Sequence, residues 1–199
     1  QNSVTAIKYV ICAAEQGHAN AQFYLGDVYD KGKGVPINDK EAAKWYTLAA
    51  EQGHMEAQFC LGDIFEKGKG GPTNNKEAAR WYTLAAEQGY ANAQSNLGNI
   101  YRIGGGVPQK DTAAVKWYTL AADQNYALAQ YALGVMYSKG NAALRDYKRA
   151  YMWYDIAASN GVVKGILHKK DIAKGMTPPQ IEEAKKMSLR YFKNIHADV

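Results

Sequence analysis

Apolar residues recur three and four positions apart along most of the chain, and the pattern itself returns every 36 residues. In residues 19–54, Ala21, Leu25 and Tyr29 stand at i, i+4 and i+8, one face of a helix. Gly32, Gly34 and Pro36 close that segment, because glycine supplies positive φ and proline cannot continue a helix. Asn38-Asp39 then offers an N-cap, with Glu41 in the first turn complementing the helix dipole. The second helix runs from Glu41 to Gln52, with Ala42, Trp45, Leu48 and Ala49 read as its inward stripe. Gly53 is its left-handed stop, and Asn125 takes that slot two units later. Superposing the units predicts first helices (A) at 19–31, 55–67, 91–103 and 127–139, and second helices (B) at 39–52, 75–88, 111–124 and 147–160.

The periodicity is strict. Trp45, Trp81, Trp117 and Trp153 keep it, as do Leu25-Gly26, Leu61-Gly62, Leu97-Gly98 and Leu133-Gly134. A period of this size marks a solenoid, in which each helix pair buries its apolar face only against its neighbours. The expected fold is therefore all-α: stacked antiparallel helix pairs forming an α/α solenoid. The expected organisation is a partial first unit 1–18, then units 19–54, 55–90, 91–126 and 127–161. Residues 3–16 read as a helix B without its helix A, so the chain reads as a piece or processed product of a longer protein. The fourth unit departs at 140–144, where the loop lacks the proline. After Gly161 the repeat decays, since Lys169-Lys170 fills the Leu-Gly slot. Residues 162–199 form a degenerate repeat and a C-terminal capping helix that starts at Thr177-Pro178.

Composition agrees with helices. Ala and Tyr dominate the apolar residues, and small residues let helices approach while rings fill the gaps. No stretch of about 18 apolar residues is present, so no membrane-spanning helix is expected. The net charge of +5 is uneven: residues 1–163 carry 16 Lys+Arg against 15 Asp+Glu, and residues 164–199 carry 8 against 4. Cys12 and Cys60 lie 48 residues apart at different repeat positions and are expected to be free thiols.

The string Ala-x-Ala-Gln-x-x-Leu-Gly-x-x-Tyr, then Gly-Val-x-x-Asn/Asp, then Ala-x-x-Trp-Tyr-x-x-Ala-Ala-Glu-Gln-Gly, resembles the Sel-like repeat family, relatives of the tetratricopeptide repeats. The resemblance covers residues 1–161. It implies a right-handed solenoid whose A helices line a concave groove, a bacterial origin, and an adaptor role, often in the envelope or outside the cell. One branch of that family carries a disulfide in each repeat and is associated with β-lactam binding. This chain lacks those cysteines, so that activity is not carried over.

Sharper chemical readings do not hold. The tryptophans keep a fixed phase on apolar stripes, which is core packing rather than a nucleic-acid platform. His18 and His54 share a slot with Tyr90 and Tyr126, so the position wants a ring, and no third ligand stands at zinc spacing. The glycine loops lack the strand and the Lys-Ser/Thr of a phosphate-binding loop. No nucleophile has a base at catalytic spacing, so the chain is read as neither an enzyme nor a holder of cofactor or metal. The basic tail has interleaved acids beside a nearly neutral body, which argues against nucleic acid.

Internal repetition serves as an alignment: fixed positions are structural, and varying positions are free to specialise. The varying A-helix face supplies Asn20, Tyr24, Asp27 and Lys31; Glu56, Cys60, Asp63 and Lys67; Asn92, Asn96, Asn99 and Ile103; and Leu128, Ala132, Val135 and Lys139. That stripe is the expected site for a protein or peptide, with Asn92, Asn96 and Asn99 suited to an extended backbone. The alternative is a small-ligand or cell-wall-fragment binder with a regulatory role.

Overall fold

The computed structural model describes residues 2–140 and 145–197, with side chains from 7 to 194. Its described residues form only helices and connecting turns. These are α1 (Asn2–Glu15), α2 (Ala19–Lys31), α3 (Asp39–Glu51), α4 (Met55–Lys67), α5 (Asn75–Glu87), α6 (Ala91–Ile103), α7 (Asp111–Asp123), α8 (Ala127–Lys139), α9 (Tyr147–Ser159), α10 (Val163–Ala173) and α11 (Pro178–Ala197). The four A helices occupy the predicted spans, and each B helix stops one residue earlier than predicted. The unusual loop after Gly140 lies outside the described residues.

The chain divides into two compact units, residues 1–93 with 105–107, and residues 94–104 with 108–199. In the first unit α1 packs on α2, α2 on α3, α3 on α4 and α4 on α5. In the second, α7 packs on α8 and α8 on α9, while both α10 and α11 pack on α9.

Local chemistry explains the boundaries. Asn38 Oδ1 accepts the Glu41 N–H and Asn74 Oδ1 accepts the Glu77 N–H, each at 3.1 Å, while Asp146 Oδ1 accepts the Arg149 N–H at 2.9 Å. Each bond satisfies a donor that the first helical turn leaves unpaired. At the far end Gly53 has φ +88 and Asn125 has φ +63, the left-handed stop expected from the sequence. At α11, Gln180 Oε1 reaches back to the Thr177 N–H at 2.8 Å, one half of a capping box.

The inward stripe of helix B differs from the expectation. On α3 the buried residues are Ala42, Tyr46, Ala49 and Ala50, whereas Trp45 is only half-buried and Leu48 is 38% exposed. Tyr46, Tyr82 and Tyr118 are sealed at 0–1% exposure. Each lies flat over a glycine of its paired A helix. A Cβ on Gly26, Gly62, Gly98 or Gly134 would stand 2.5–2.7 Å from the rings of Tyr46, Tyr82, Tyr118 and Tyr154 respectively. The tryptophan sits one position off this axis and turns towards the preceding pair. Trp81 joins the cluster of Ala42, Tyr46, Ala57 and Leu61 and is 7% exposed. The outer faces of Trp45, Trp81 and Trp117 are roofed by Lys44, Arg80 and Lys116, at 5.0–5.7 Å from the ring centroids.

A second device escaped the sequence reading. Gln22, Gln58, Gln94 and Gln130 are buried to 4% exposure or less. Gln22 and Gln58 donate to Ala14 O and Ala50 O at 3.1 and 3.2 Å, and receive the amides of Gln52 and Gln88 at 2.6 and 2.7 Å. Asn160 plays the same part on Gln130 at 2.8 Å. Buried amides are tolerated because both ends are paired.

The tail closes the second unit by folding α11 back across α9. Tyr191 meets Trp153 edge-on at 4.9 Å, and its hydroxyl donates to Ala122 O at 2.8 Å. Ile156 is consequently 0% exposed, whereas Leu48, Leu84 and Leu120 in the same slot are 37–39% exposed.

Candidate functional site

In the first unit, Asn20 and Tyr24 on α2 are exposed and Asp27 is half-buried. Asp27 pairs with Lys31 and accepts from Lys33 Nζ at 2.6 Å. Burial pushes its carboxyl upward, but the two lysines outweigh it and hold the group below the usual carboxylate range. Glu56, Cys60 and Asp63 on α4 are half-buried. An open cavity of about 280 Å³ is lined by Asp30, Tyr46, Phe59, Cys60, Asp63, Ile64, Lys67 and Lys69. Its charges are internally balanced, with Lys67 on Asp63 at 2.6 Å and Lys69 on Asp30 at 2.8 Å. Asn20, Tyr24, Asp27 and Glu56 do not border this cavity.

Burial pushes the Cys60 thiol up to about 11, against the opposing pull of its bond with the Tyr46 hydroxyl. At pH 8 the thiolate is then on the order of one part in a thousand. Iodoacetamide at pH 8 is expected to label exposed Cys12 first and Cys60 only slowly, with Cys60 labelling rising towards pH 11. Peptide mapping that found Cys60 labelled as fast as Cys12 would refute this placement.

In the second unit, Asn96 and Asn99 of α6 and Leu128, Ala132 and Val135 of α8 border one cavity of about 390 Å³, together with Ser95, Arg102, Tyr118, Tyr126 and Tyr131. Asn92, in the first turn of α6, is half-buried and does not border it. A further cavity of about 550 Å³ shares Tyr131 and Val135 and is completed by Ser138, Lys139, Tyr147, Tyr154, His168, Asp171, Ile172 and Gly175. Both volumes are in the range of ligand-binding clefts. His168 stacks on Tyr131 at 5.5 Å and its Nδ1 lies 3.1 Å from the Tyr131 hydroxyl.

The tyrosines that floor the helix pairs send their hydroxyls to this face, and their partners change from repeat to repeat. Tyr82 donates to Glu66 Oε2 at 2.8 Å, Tyr118 donates to Asn99 Oδ1 at 2.7 Å, and Tyr154 meets Ser138 Oγ at 3.2 Å. Burial raises the Tyr118 and Tyr154 hydroxyls above the ordinary tyrosine value, so both stay protonated as donors.

Sequence reasoning missed Asp30, Glu66, Arg102 and Ser138, which share one 36-residue slot and vary in chemistry. That variation was the available signal. It also stopped the stripe at Lys139, although His168 and Asp171 occupy the Tyr24 and Asp27 slots one unit beyond α8. Decay of the Leu-Gly signature after Gly161 hid that continuation.

The shared His/Tyr slot holds a ring against the neighbouring helix: His54 stacks on Phe23 at 4.5 Å and Tyr90 meets Phe59 at 5.1 Å. His54 Nδ1 also accepts the Ala57 N–H at 3.3 Å. Among the described residues no three His, Cys, Asp or Glu side chains group where they could hold a metal ion. Nor is any described helix long and apolar enough to cross a membrane.

The Sel1 repeat family model matches residues 1–18, 19–54, 56–90, 91–126 and 127–162. The chain belongs to the Sel1 repeat family. Similar solved structures are bacterial. One is c5321, described as a protective antigen present in uropathogenic Escherichia coli strains and displaying an SLR fold; it is 36% identical, with a TM-score of 0.88 over 96% of this chain and 41% of its own. This chain thus spans about two fifths of that relative. A Sel1 repeat protein from Oxalobacter formigenes is 36% identical, with a TM-score of 0.77 over 92% of this chain and 76% of its own. Helicobacter pylori cysteine rich protein B is 25% identical, with a TM-score of 0.50 over 63% of this chain and 90% of its own. The curated proteins provide no match. The fold is the Sel1-type α/α solenoid of stacked helix pairs, and repeats of this family generally mediate protein interactions and are generally non-enzymatic.

Proposed function

We propose that this chain is a non-enzymatic interaction scaffold that takes a peptide or protein segment along the variable slots of its A helices. One observation carries the reading: on the A helices the repeating leucines are buried, and several of the varying residues border open space. Leu25, Leu61, Leu97 and Leu133 are 0–1% exposed, whereas Cys60, Asp63, Asn96, Asn99 and Val135 surround the cavities. Fixed residues build the stack, which leaves the variable ones free to choose a partner.

The test is capture of the native partner with two variant proteins. Asn96→Ala combined with Leu128→Asp is expected to weaken capture at least about ten-fold while folding is kept, because surface changes shift stability by roughly 0.5 kcal/mol or less. Neutralising exposed Lys170, Lys185 and Lys186 is expected to remove only salt-sensitive background. Specific capture lost with the tail variant and kept with the A-helix variant would reject the reading.

A second reading, binding of a small ligand or cell-wall fragment, is favoured by the ring of Tyr131, Tyr147, Tyr154 and His168 around the 550 Å³ cavity. Saturable thermal stabilisation by a muropeptide mixture, abolished by Tyr131→Ala, would select it over the first.

A further inference from the structure

Among the described residues, Arg102 is the one cation bordering the 390 Å³ cavity, and it has no carboxylate partner. In the first unit each lysine bordering the cavity is paired, Lys67 with Asp63 and Lys69 with Asp30. Arg102 is half-buried in the 390 Å³ cavity, and its recorded contact is a 3.4 Å bond from Nε to the Tyr118 hydroxyl. No Asp or Glu comes within ion-pair distance of it among the described residues. The equivalent slots hold Asp30, bound to Lys69, Glu66, bound to Tyr82, and Ser138, bound to Tyr154. Only this repeat places a guanidinium there.

The neighbours are arranged as donors. Tyr118 gives its proton to Asn99 Oδ1 at 2.7 Å. That occupies the acceptor of the amide and leaves its NH₂ group, while the guanidinium keeps its Nη donors. Burial holds Tyr118 protonated, which keeps the arrangement fixed. A planar fork beside an amide donor in a partly dehydrated cleft matches a carboxylate, which accepts two parallel hydrogen bonds from arginine. Beyond Arg102 the wall turns apolar at Leu128, Ala132 and Val135, then aromatic at Tyr131, where the larger cavity begins.

We propose that Arg102, with Asn99 and Asn96, is the anchor for a carboxylate on the bound peptide, with an adjoining apolar or aromatic residue against Tyr131 and Val135. This rests on the reading of the A-helix face as a peptide site and names what that site selects. The carboxylate has two sources, an Asp or Glu side chain or the free C-terminus of the peptide.

The probe is a random pentapeptide library made in two forms, C-terminal acid and C-terminal amide, panned against the wild-type protein and two variants. Wild type is expected to enrich acidic residues or free C-termini on the order of ten-fold over their Gln, Asn or amide counterparts. Arg102→Gln should lose that preference yet keep the apolar one, and Arg102→Lys should retain a weaker preference because the charge remains without the fork. Enrichment confined to the acid form identifies the C-terminus; enrichment of Asp or Glu in both forms identifies the side chain. Either supports the anchor. Peptides selected without any anionic preference, or a preference unchanged in Arg102→Gln, overturn it and leave the peptide site standing. A library from which wild type selects nothing overturns both. Thermal unfolding of the variants alongside wild type separates loss of recognition from loss of fold.

Discussion

Tyr82→Ala is expected to cost about 3–5 kcal/mol in chemical denaturation, on the scale of large aromatic truncations in a core. Tyr82 is 0% exposed, lies flat on Gly62 of α4, and bonds Glu66 through its hydroxyl. Removing the ring opens a void between α4 and α5 where the ring now packs against Gly62. Trp81→Ala should fall in the same range, since Trp81 is 7% exposed within the cluster of Ala42, Tyr46 and Leu61. Trp45→Ala should cost clearly less, because that ring is half-buried and partly roofed by Lys44. Losses below about 1 kcal/mol for both Tyr82 and Trp81 would reject this picture of the core.

Gly98→Leu is expected to cost roughly 1–3 kcal/mol or more through overpacking. Even a methyl there would stand 2.7 Å from the Tyr118 ring, so the helices must part or the ring must leave its slot. Gly98→Ala should therefore cost less than Gly98→Leu but still be measurable. Combining Gly98→Ala with Tyr118→Leu should recover part of the loss, a coupling of about 0.5–3 kcal/mol for residues in direct contact. The control is Gly71→Ala, where a Cβ meets nothing within 4 Å and the change should stay within about 0.5 kcal/mol. Gly70 is not an equivalent control: its φ of +71 makes Ala strained there, although the sequence alone leaves that position open. Equal tolerance of Leu at Gly98 and at an exposed lysine would refute the close approach of α6 and α7.

The sequence by itself determined the helices, their phase and their ends, because those depend on local rules. A 3.6-residue apolar period, Asn at the N-cap, and Gly or Asn at the left-handed stop are each read within a few residues of where they act. Repetition multiplied that signal. The A helices were therefore placed to the residue, and even Asn125 in the slot of Gly53 was legible. The chemistry of the variable stripe was legible for the same reason: Cys60, Asp63, Asn96, Asn99 and Val135 differ where their neighbours in the repeat do not.

Only the tertiary structure decided which of two adjacent aromatics enters the pair. Trp45 and Tyr46 are 100° apart on a helix, and both lie near the apolar stripe, so periodicity cannot rank them. The glycine on the facing helix does, because a flat ring needs a surface without a Cβ. The same holds for Gln22 and Gln58, fixed in the repeat, whose part in the core emerges only when their partners thirty residues away, Gln52 and Gln88, come into contact. Tyr118 joined the candidate site only through packing, since a ring fixed in the repeat gives no signal of variation, whereas Arg102 and His168 lie in slots whose variation went unread. The seat of α11 on α9, which buries Trp153 and Ile156 while Leu48 stays exposed, likewise arises from contacts between distant segments that no local pattern encodes.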